Sequence, residues 1–305
     1  MKLIGHQDSL KFIRRFLDKN YSSYSFLFEG KDCIGKKLAA LLTAKAFLCK
    51  KNYSFGCDEC ENCKLVNNTI LNIYEGKELT PHPDLMVVSP EREIKIDQIR
   101  QVIHFLKLKR KKAVIIEKAE KMNLEASNAL LKTLEEPPEN SLIILTTSNQ
   151  EILLPTIISR CKKIRFRPLK KEEVQQILSL KNIEEKNYQI LLALSDGSMC
   201  IPDAVTKDEK RLKYARDLYN LLYIEELHPE GIITLGEIFD KLSNEEIESI
   251  ANIVEKILYK KTLKGEVNPD FYDRFIKEKQ EFEKSIYRGV KKKLALEGMY
   301  FNLKS

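Results

Sequence analysis

The run Gly30-Lys-Asp-Cys-Ile-Gly35-Lys36-Lys37 spaces two glycines and a lysine as G-x-x-x-x-G-K. In that pattern backbone N–H groups curl around phosphates and the lysine reaches the outer phosphates. The next position needs a hydroxyl to ligate magnesium, and here it is Lys37, whose ammonium cannot be a metal ligand. A second run, Ala113-Val-Ile-Ile116, has the composition of a strand that should end in an acidic pair holding the metal and polarising water. It ends instead in Glu117-Lys118-Ala119-Glu120. Glu117 is one methylene longer than the usual aspartate, and Lys118, protonated at neutral pH, cannot take a proton from water. Gly30, Gly35 and Lys36 therefore read as a vestigial phosphate loop; a Gly-containing turn with a chance Gly-Lys is the plainer alternative.

Cys49, Cys57, Cys60 and Cys63 form C-x₇-C-x₂-C-x₂-C, four thiolates within fifteen residues. A closed set of four sulfurs suits tetrahedral structural zinc and leaves no open position for catalysis. A redox C-x-x-C is the alternative, though it normally opens a helix after a strand without two further cysteines in register. Cys33 and Cys200 stand apart and are expected to be ordinary buried thiols.

The densest basic run, Lys107-Leu-Lys-Arg-Lys-Lys112, could meet nucleic-acid phosphates without reading bases. A solvated loop before a strand is the plainer reading. His82-Pro83-Asp84 suggests a turn rather than acid–base chemistry.

The elements that must position these residues alternate in type over the first 165 or so positions. Strands are predicted at Ser25 to Phe28, Leu85 to Val88, Ala113 to Ile116, Leu142 to Thr146 and Ile164 to Phe166. Between them lie amphipathic stretches such as Ile96, Ile99, Val102, Ile103 and Leu106, the spacing of one helix face. Strands alternating with helices imply an α/β fold with a parallel sheet covered on both faces. After Pro168 the pattern is helical, from Lys170 to Leu180 and through Tyr188 to Leu194, and from about Lys210 onward it is helical throughout. Ser243 with Glu246 forms an S-x-x-E capping box that marks one helix start. The expected division is 1–167, an α/β domain with a metal-binding insertion near 49–63; 168–208, a small helical domain; and 209–305, a C-terminal helical domain.

The 305 residues, 43% hydrophobic and 32% charged with 11 Gly and 10 Pro, describe a helix-rich globular chain of more than one domain. No window approaches the ~18 unbroken apolar residues of a membrane span, and the first twenty residues lack a signal peptide's apolar core. A cytoplasmic chain with no membrane partner is expected. The net charge of +7 arises from 52 basic against 45 acidic residues, an excess too small to identify a nucleic-acid binder by itself. Seven cysteines in a reducing compartment argue for metal ligation rather than a disulfide framework.

Three segments carry a family resemblance: Glu117-Lys-Ala-Glu-Lys-Met122, Ser127-Asn-Ala-Leu-Leu-Lys-Thr-Leu-Glu-Glu-Pro-Pro138, and Leu154-Pro-Thr-Ile-Ile-Ser159-Arg160-Cys161. Together they resemble the AAA+ subunits of DNA polymerase III clamp loaders, over nearly all of residues 1–167. The resemblance implies an AAA+ P-loop sheet domain, a zinc module after the phosphate-loop helix, a helical lid and a helical collar. It also implies that Arg160, in Ser-Arg-Cys, reaches ATP held by an adjacent subunit. A guanidinium suits that role because it stays charged and offers a planar fork to phosphoryl oxygens; pairing with a local carboxylate is the commoner fate of an arginine. Thr146, Thr147, Ser148 and Asn149 stand where the family keeps a phosphate-sensing polar residue. Met199 and Cys200, after Gly197-Ser198, stand where ATP-hydrolysing relatives carry a basic one. Loop, metal strand and second-domain sensor depart from the active pattern while Arg160 remains, which resembles a non-hydrolysing member of the set rather than gamma/tau. Implied partners are the gamma/tau and delta subunits, the sliding clamp, and primer-template DNA within the complex. An active gamma/tau-like ATPase and a zinc-bearing nucleic-acid-binding relative remain the alternatives.

Overall fold

The computed structural model describes residues 3–19, 21–51, 55–75, 77, 82–90, 92–181, 183, 185–224 and 229–304. The chain divides into two compact units, 1–173 and 174–305.

In the first unit the order is α1 (Gln7–Leu17), β1 (Ser23–Glu29), α2 (Lys36–Leu48), α3 (Glu61–Glu75), β2 (Leu85–Val88), α4 (Ile96–Leu106), β3 (Lys112–Ile116), α5 (Leu124–Glu135), β4 (Ser141–Thr147), α6 (Pro155–Arg160) and β5 (Lys162–Arg165). The five strands form one sheet in the order β2-β3-β4-β1-β5, and every pairing is parallel. The central strands β3 and β4 are buried at every residue. That is why their sequences run apolar without alternation: in a parallel sheet covered by helices both faces need hydrophobic side chains. On one face, α4, α5 and α6 contribute Ile99, Val102, Leu130, Leu134 and Ile157 to a core with Val114, Ile116, Ile143 and Leu145. Helix α2 contacts β1, β3 and β4 and buries every residue except Lys37; apart from Lys36, Lys37, Thr43 and Lys45 it is apolar on all sides, and such a helix is accommodated inside.

The parallel arrangement places the carboxyl ends of all five strands on one edge, where ligands meet such sheets. Gly30 follows β1, Glu117 follows β3 and Ser148 follows β4 there. The last strand begins at Lys162, two residues before its predicted start, because it pairs with β1 from Phe26 to Glu29.

Helix α7 (Lys171–Ser179) contains the division between the units. The second unit continues with α8 (Glu185–Ser195), α9 (Cys200–Lys207), α10 (Lys210–Tyr219), α11 (Pro229–Phe239), α12 (Asn244–Leu263), α13 (Pro269–Tyr287) and α14 (Lys292–Lys304). The predicted passage from Lys170 to Tyr188 is two helices, and the positions 182 and 184 between them lie outside the described residues. At the start of α12 the capping box is present: Glu246 N donates to Ser243 Oγ at 3.2 Å, and Ser243 N donates to the Glu246 carboxylate at 2.8 Å. Phe275, Ile250, Val254, Leu296 and Tyr300 are buried in this unit.

Candidate functional site

The phosphate loop joins β1 to α2, and its glycines are demanded by geometry. At Gly30 a Cβ would lie 2.3 Å from the Phe166 carbonyl oxygen, and Gly35 caps α2 with φ +102°. Lys36 is 8% exposed. Its ammonium donates to the carbonyls of Gly30 and, at 2.6 Å, Lys31, with Asp32 Oδ1 at 3.8 Å. Burial pulls its pKa below the ordinary lysine value, and Asp32 opposes the shift. Lys37 extends the other way, its Nζ 2.8 Å from Glu117 Oε1. The other Glu117 oxygen accepts from Ser89 Oγ at 3.1 Å. The phosphate loop and the end of β3 are thus joined by an ion pair at the two positions where metal ligation would need a hydroxyl and a carboxylate.

Lys118 adopts a left-handed conformation (φ 47°) and its N–H donates to Thr146 Oγ1 at 3.2 Å. Glu120 accepts from Ser148 Oγ at 2.7 Å and from Ser148 N at 3.1 Å. Burial alone would raise the Glu120 pKa; the Ser148 hydrogen bonds outweigh it and hold the carboxyl below its ordinary value. Of the polar residues ending β4, Thr146 and Ser148 are therefore engaged by the segment after β3, and Thr147 Oγ1 accepts from Asn149 N at 3.1 Å.

Cys49 ends α2, Cys57 and Cys60 lie in the turns before α3, and Cys63 is in its first turn. Their four Sγ atoms lie within 4.8 Å of one another. The Cys57 and Cys63 sulfurs are 3.9 Å apart, against the roughly 3.8 Å edge that a zinc–sulfur distance of about 2.3 Å gives a tetrahedron. The residues present fit zinc. Burial pushes the Cys63 thiol up to about 12, and a bound cation would favour its thiolate form. The module is tied to α2 by buried Lys45, which donates to Asp58 Oδ1 at 2.7 Å and to Asn67 Oδ1 at 3.1 Å. Gly56, at φ +101°, leaves room for that tie, since its Cβ would meet Lys45 at 2.8 Å and Cys63 Sγ at 3.0 Å.

Arg160 is the last residue of α6. Its Nη1 donates to Thr156 O at 2.9 Å and Ser159 Oγ at 3.3 Å, and its Nη2 to the Glu135 carboxylate. Within the folded chain the guanidinium therefore has a local carboxylate. Cys161, next to it, is buried, which pushes its thiol up to about 12 and leaves it inert.

Two expectations are corrected. Cys33, in the phosphate loop, and Cys200, which opens α9, are exposed and disulfide-bonded rather than buried thiols. The basic run is not wholly a solvated loop: Lys112 is buried in β3 and paired with Asp84 at 2.8 Å, and Lys111 donates to Phe47 O at 3.1 Å. His82 belongs to a local turn, as expected, its Nδ1 accepting from Asp84 N at 2.9 Å. Lys45, Ser89 and Glu135 escape a reading of motifs, since each acts on a residue between thirteen and twenty-eight positions away.

Among the described residues no helix is long and apolar enough to cross a membrane. A family model described as DNA polymerase III, delta subunit, matches residues 5–170, more than half of the chain. The chain is 31% identical over 227 residues to DNA polymerase III subunit delta-prime of Bacillus subtilis, covering 72% of this chain and 65% of that protein. It is 36% identical over 147 residues to the delta-prime subunit of Pseudomonas aeruginosa, covering 46% and 42%, and 27% identical over 227 residues to subunit tau of B. subtilis, covering 71% and 38%. It thus spans less than two thirds of the length of each of these relatives. A solved gamma subunit-related protein of Thermotoga maritima overlaps 97% of this chain and 99% of its own, at 23% identity and a TM-score of 0.49. With its family segments on a five-stranded parallel sheet and the family model spanning that sheet, the chain belongs to the delta-prime family of DNA polymerase III subunits.

Proposed function

We propose that this chain serves a DNA polymerase III clamp loader as an ATPase-defective AAA+ subunit. It completes the ATP site of a neighbouring gamma/tau-type subunit with Arg160 and so takes part in loading the sliding clamp onto primed DNA. The observation that carries the reading is the Lys37–Glu117 ion pair at 2.8 Å. It puts a protein cation in place of the metal-binding hydroxyl and against the carboxylate that would share the metal, so Gly30, Gly35 and Lys36 retain the shape of a phosphate loop without its metal. Lys118 adds a second defect, having no carboxylate to polarise water.

In this reading residues 1–167 form the AAA+ domain, 168–208 the lid and 209–305 the collar through which subunits associate. Zinc held by Cys49, Cys57, Cys60 and Cys63 stiffens the segment between α2 and α3; when bound it neutralises thiolate charge and has no chemical step. The delta subunit is a further partner, primer-template DNA lies within the complex, and the site of action is the cytoplasm. Reconstitution tests the proposal. Mixed with gamma/tau and delta subunits, the chain enters one stable assembly that loads clamps with ATP, while alone it turns over none. ATP turnover by the chain alone that is abolished by Lys36→Ala favours the gamma/tau-like alternative. Salt-sensitive DNA binding without association favours the nucleic-acid-binding one.

A further inference from the structure

An arginine at the end of a six-residue helix, 31% exposed, has many rotamers open to it unless something holds it. A guanidinium acting on a neighbour's phosphate must arrive with its donors already aimed, because stabilisation comes from preorganised charge rather than from a side chain that reorganises during the reaction. Arg160 is held from two sides. Thr156 O and Ser159 Oγ, on its own helix, take both Nη1 protons, and Glu135 accepts from Nη2. Nε is buried with no hydrogen-bond partner among the described residues. One proton on Nη2 is left, while the buried Nε is closed off from any neighbouring molecule.

Glu135 is itself fixed. It is the last helical residue of α5 and is followed by Glu136 and the pair Pro137-Pro138. The helix beneath it is anchored by Leu130 and Leu134, which share a core with Ile157 and Cys161 on either side of Arg160. The carboxylate and the guanidinium are therefore mounted on two elements packed together, and the ion pair fixes the side-chain angles that this packing leaves free.

We propose that Glu135 is a positioning residue for Arg160: it orients the guanidinium so that its remaining Nη2 proton is presented to the phosphate of an adjacent subunit. The inference rests on the trans role of Arg160, and its test separates the two. In an assembly where only the ATPase subunit facing this chain keeps an intact phosphate loop, Arg160→Ala is measured first. It is expected to lower kcat by a large factor, for which about 10³ is the lower end of what trans arginines supply. Glu135→Ala is expected to lower kcat about tenfold, the KM for ATP holding steady, as for a group that acts only on the transition state. Glu135→Gln, which keeps an acceptor without the charge, is expected to recover part of that loss. Glu135 is 49% exposed, so neither variant should disturb folding, and equal melting temperatures and zinc contents check this. If Arg160→Ala leaves kcat unchanged, the trans role itself fails. If Arg160→Ala is impaired while Glu135→Ala matches or exceeds the wild-type kcat, the positioning role is overturned and the trans role stands.

Discussion

The ammonium of Lys37 lies 2.8 Å from the carboxylate of Glu117, bridging the start of α2 and the end of β3. β4 separates β1 from β3, so these strand ends stand about 10 Å apart, a gap that two long side chains can close. The pair gives each of these charged groups a partner where the usual loop has a hydroxyl and a metal-binding carboxylate.

Restoring the hydroxyl alone should not restore catalysis. Lys37→Thr is expected to show no ATP turnover in the isolated chain, because Lys118 still stands where water must be polarised. It should also lose about 1 kcal/mol of stability, the modest worth of a partly exposed ion pair. Steady-state hydrolysis near 1 s⁻¹, the low end of ordinary enzyme rates, by this variant would contradict the role given to Lys118.

One zinc per chain is expected in protein prepared under reducing conditions without chelator. Cys60→Ser should weaken retention, and acidification should release the metal, since protons compete for the thiolates. Metal analysis reads both; a wild-type chain without zinc, yet fully folded, would refute the structural role.

Gly56→Ala tests the module's packing apart from its ligands. A Cβ there meets Lys45 and Cys63 Sγ at a positive φ of 101°, so a loss of about 2 kcal/mol is expected together with faster zinc release. Unchanged thermal stability would show that the turn relaxes freely.

Glu173 sets a pH-dependent contribution in the first unit. Arg167, donating two hydrogen bonds at 2.6 and 2.8 Å, holds its carboxyl down at about 2. A depressed folded-state pKa stabilises above the ordinary carboxylate value, and the contribution is lost as pH falls through about 2. The stability difference between wild type and Glu173→Gln, about 1–2 kcal/mol after screening, should be constant above pH ~5 and vanish near 2. A difference independent of pH over that range would rule out the ion pair as its source.

Much of the site was legible because its chemistry is local. Gly30 to Lys37, the four cysteines and the Ser243–Glu246 box lie in short windows where spacing fixes geometry, and β3 and β4 announce their burial by unbroken apolar runs. What escaped depends on pairing across the fold. Nothing in the spacing says that Lys37 reaches Glu117 or that Arg160 meets Glu135, because the sheet order decides the first and the packing of α5 on α6 the second. The exposure of Cys33 was hidden likewise: cysteine is usually buried, but here it occupies an exposed position of the phosphate loop beside buried Ile34.

The most direct measurement is ATP hydrolysis by the reconstituted loader with Arg160→Ala in this chain and Arg165→Ala as the control. The account predicts that Arg160→Ala keeps assembly and zinc content intact, lowers clamp-stimulated hydrolysis partly because other sites retain their own arginines, and impairs loading, while Arg165→Ala does much less. Unchanged hydrolysis and loading by Arg160→Ala in a complete assembly would contradict it and leave this chain a purely structural member of the ring.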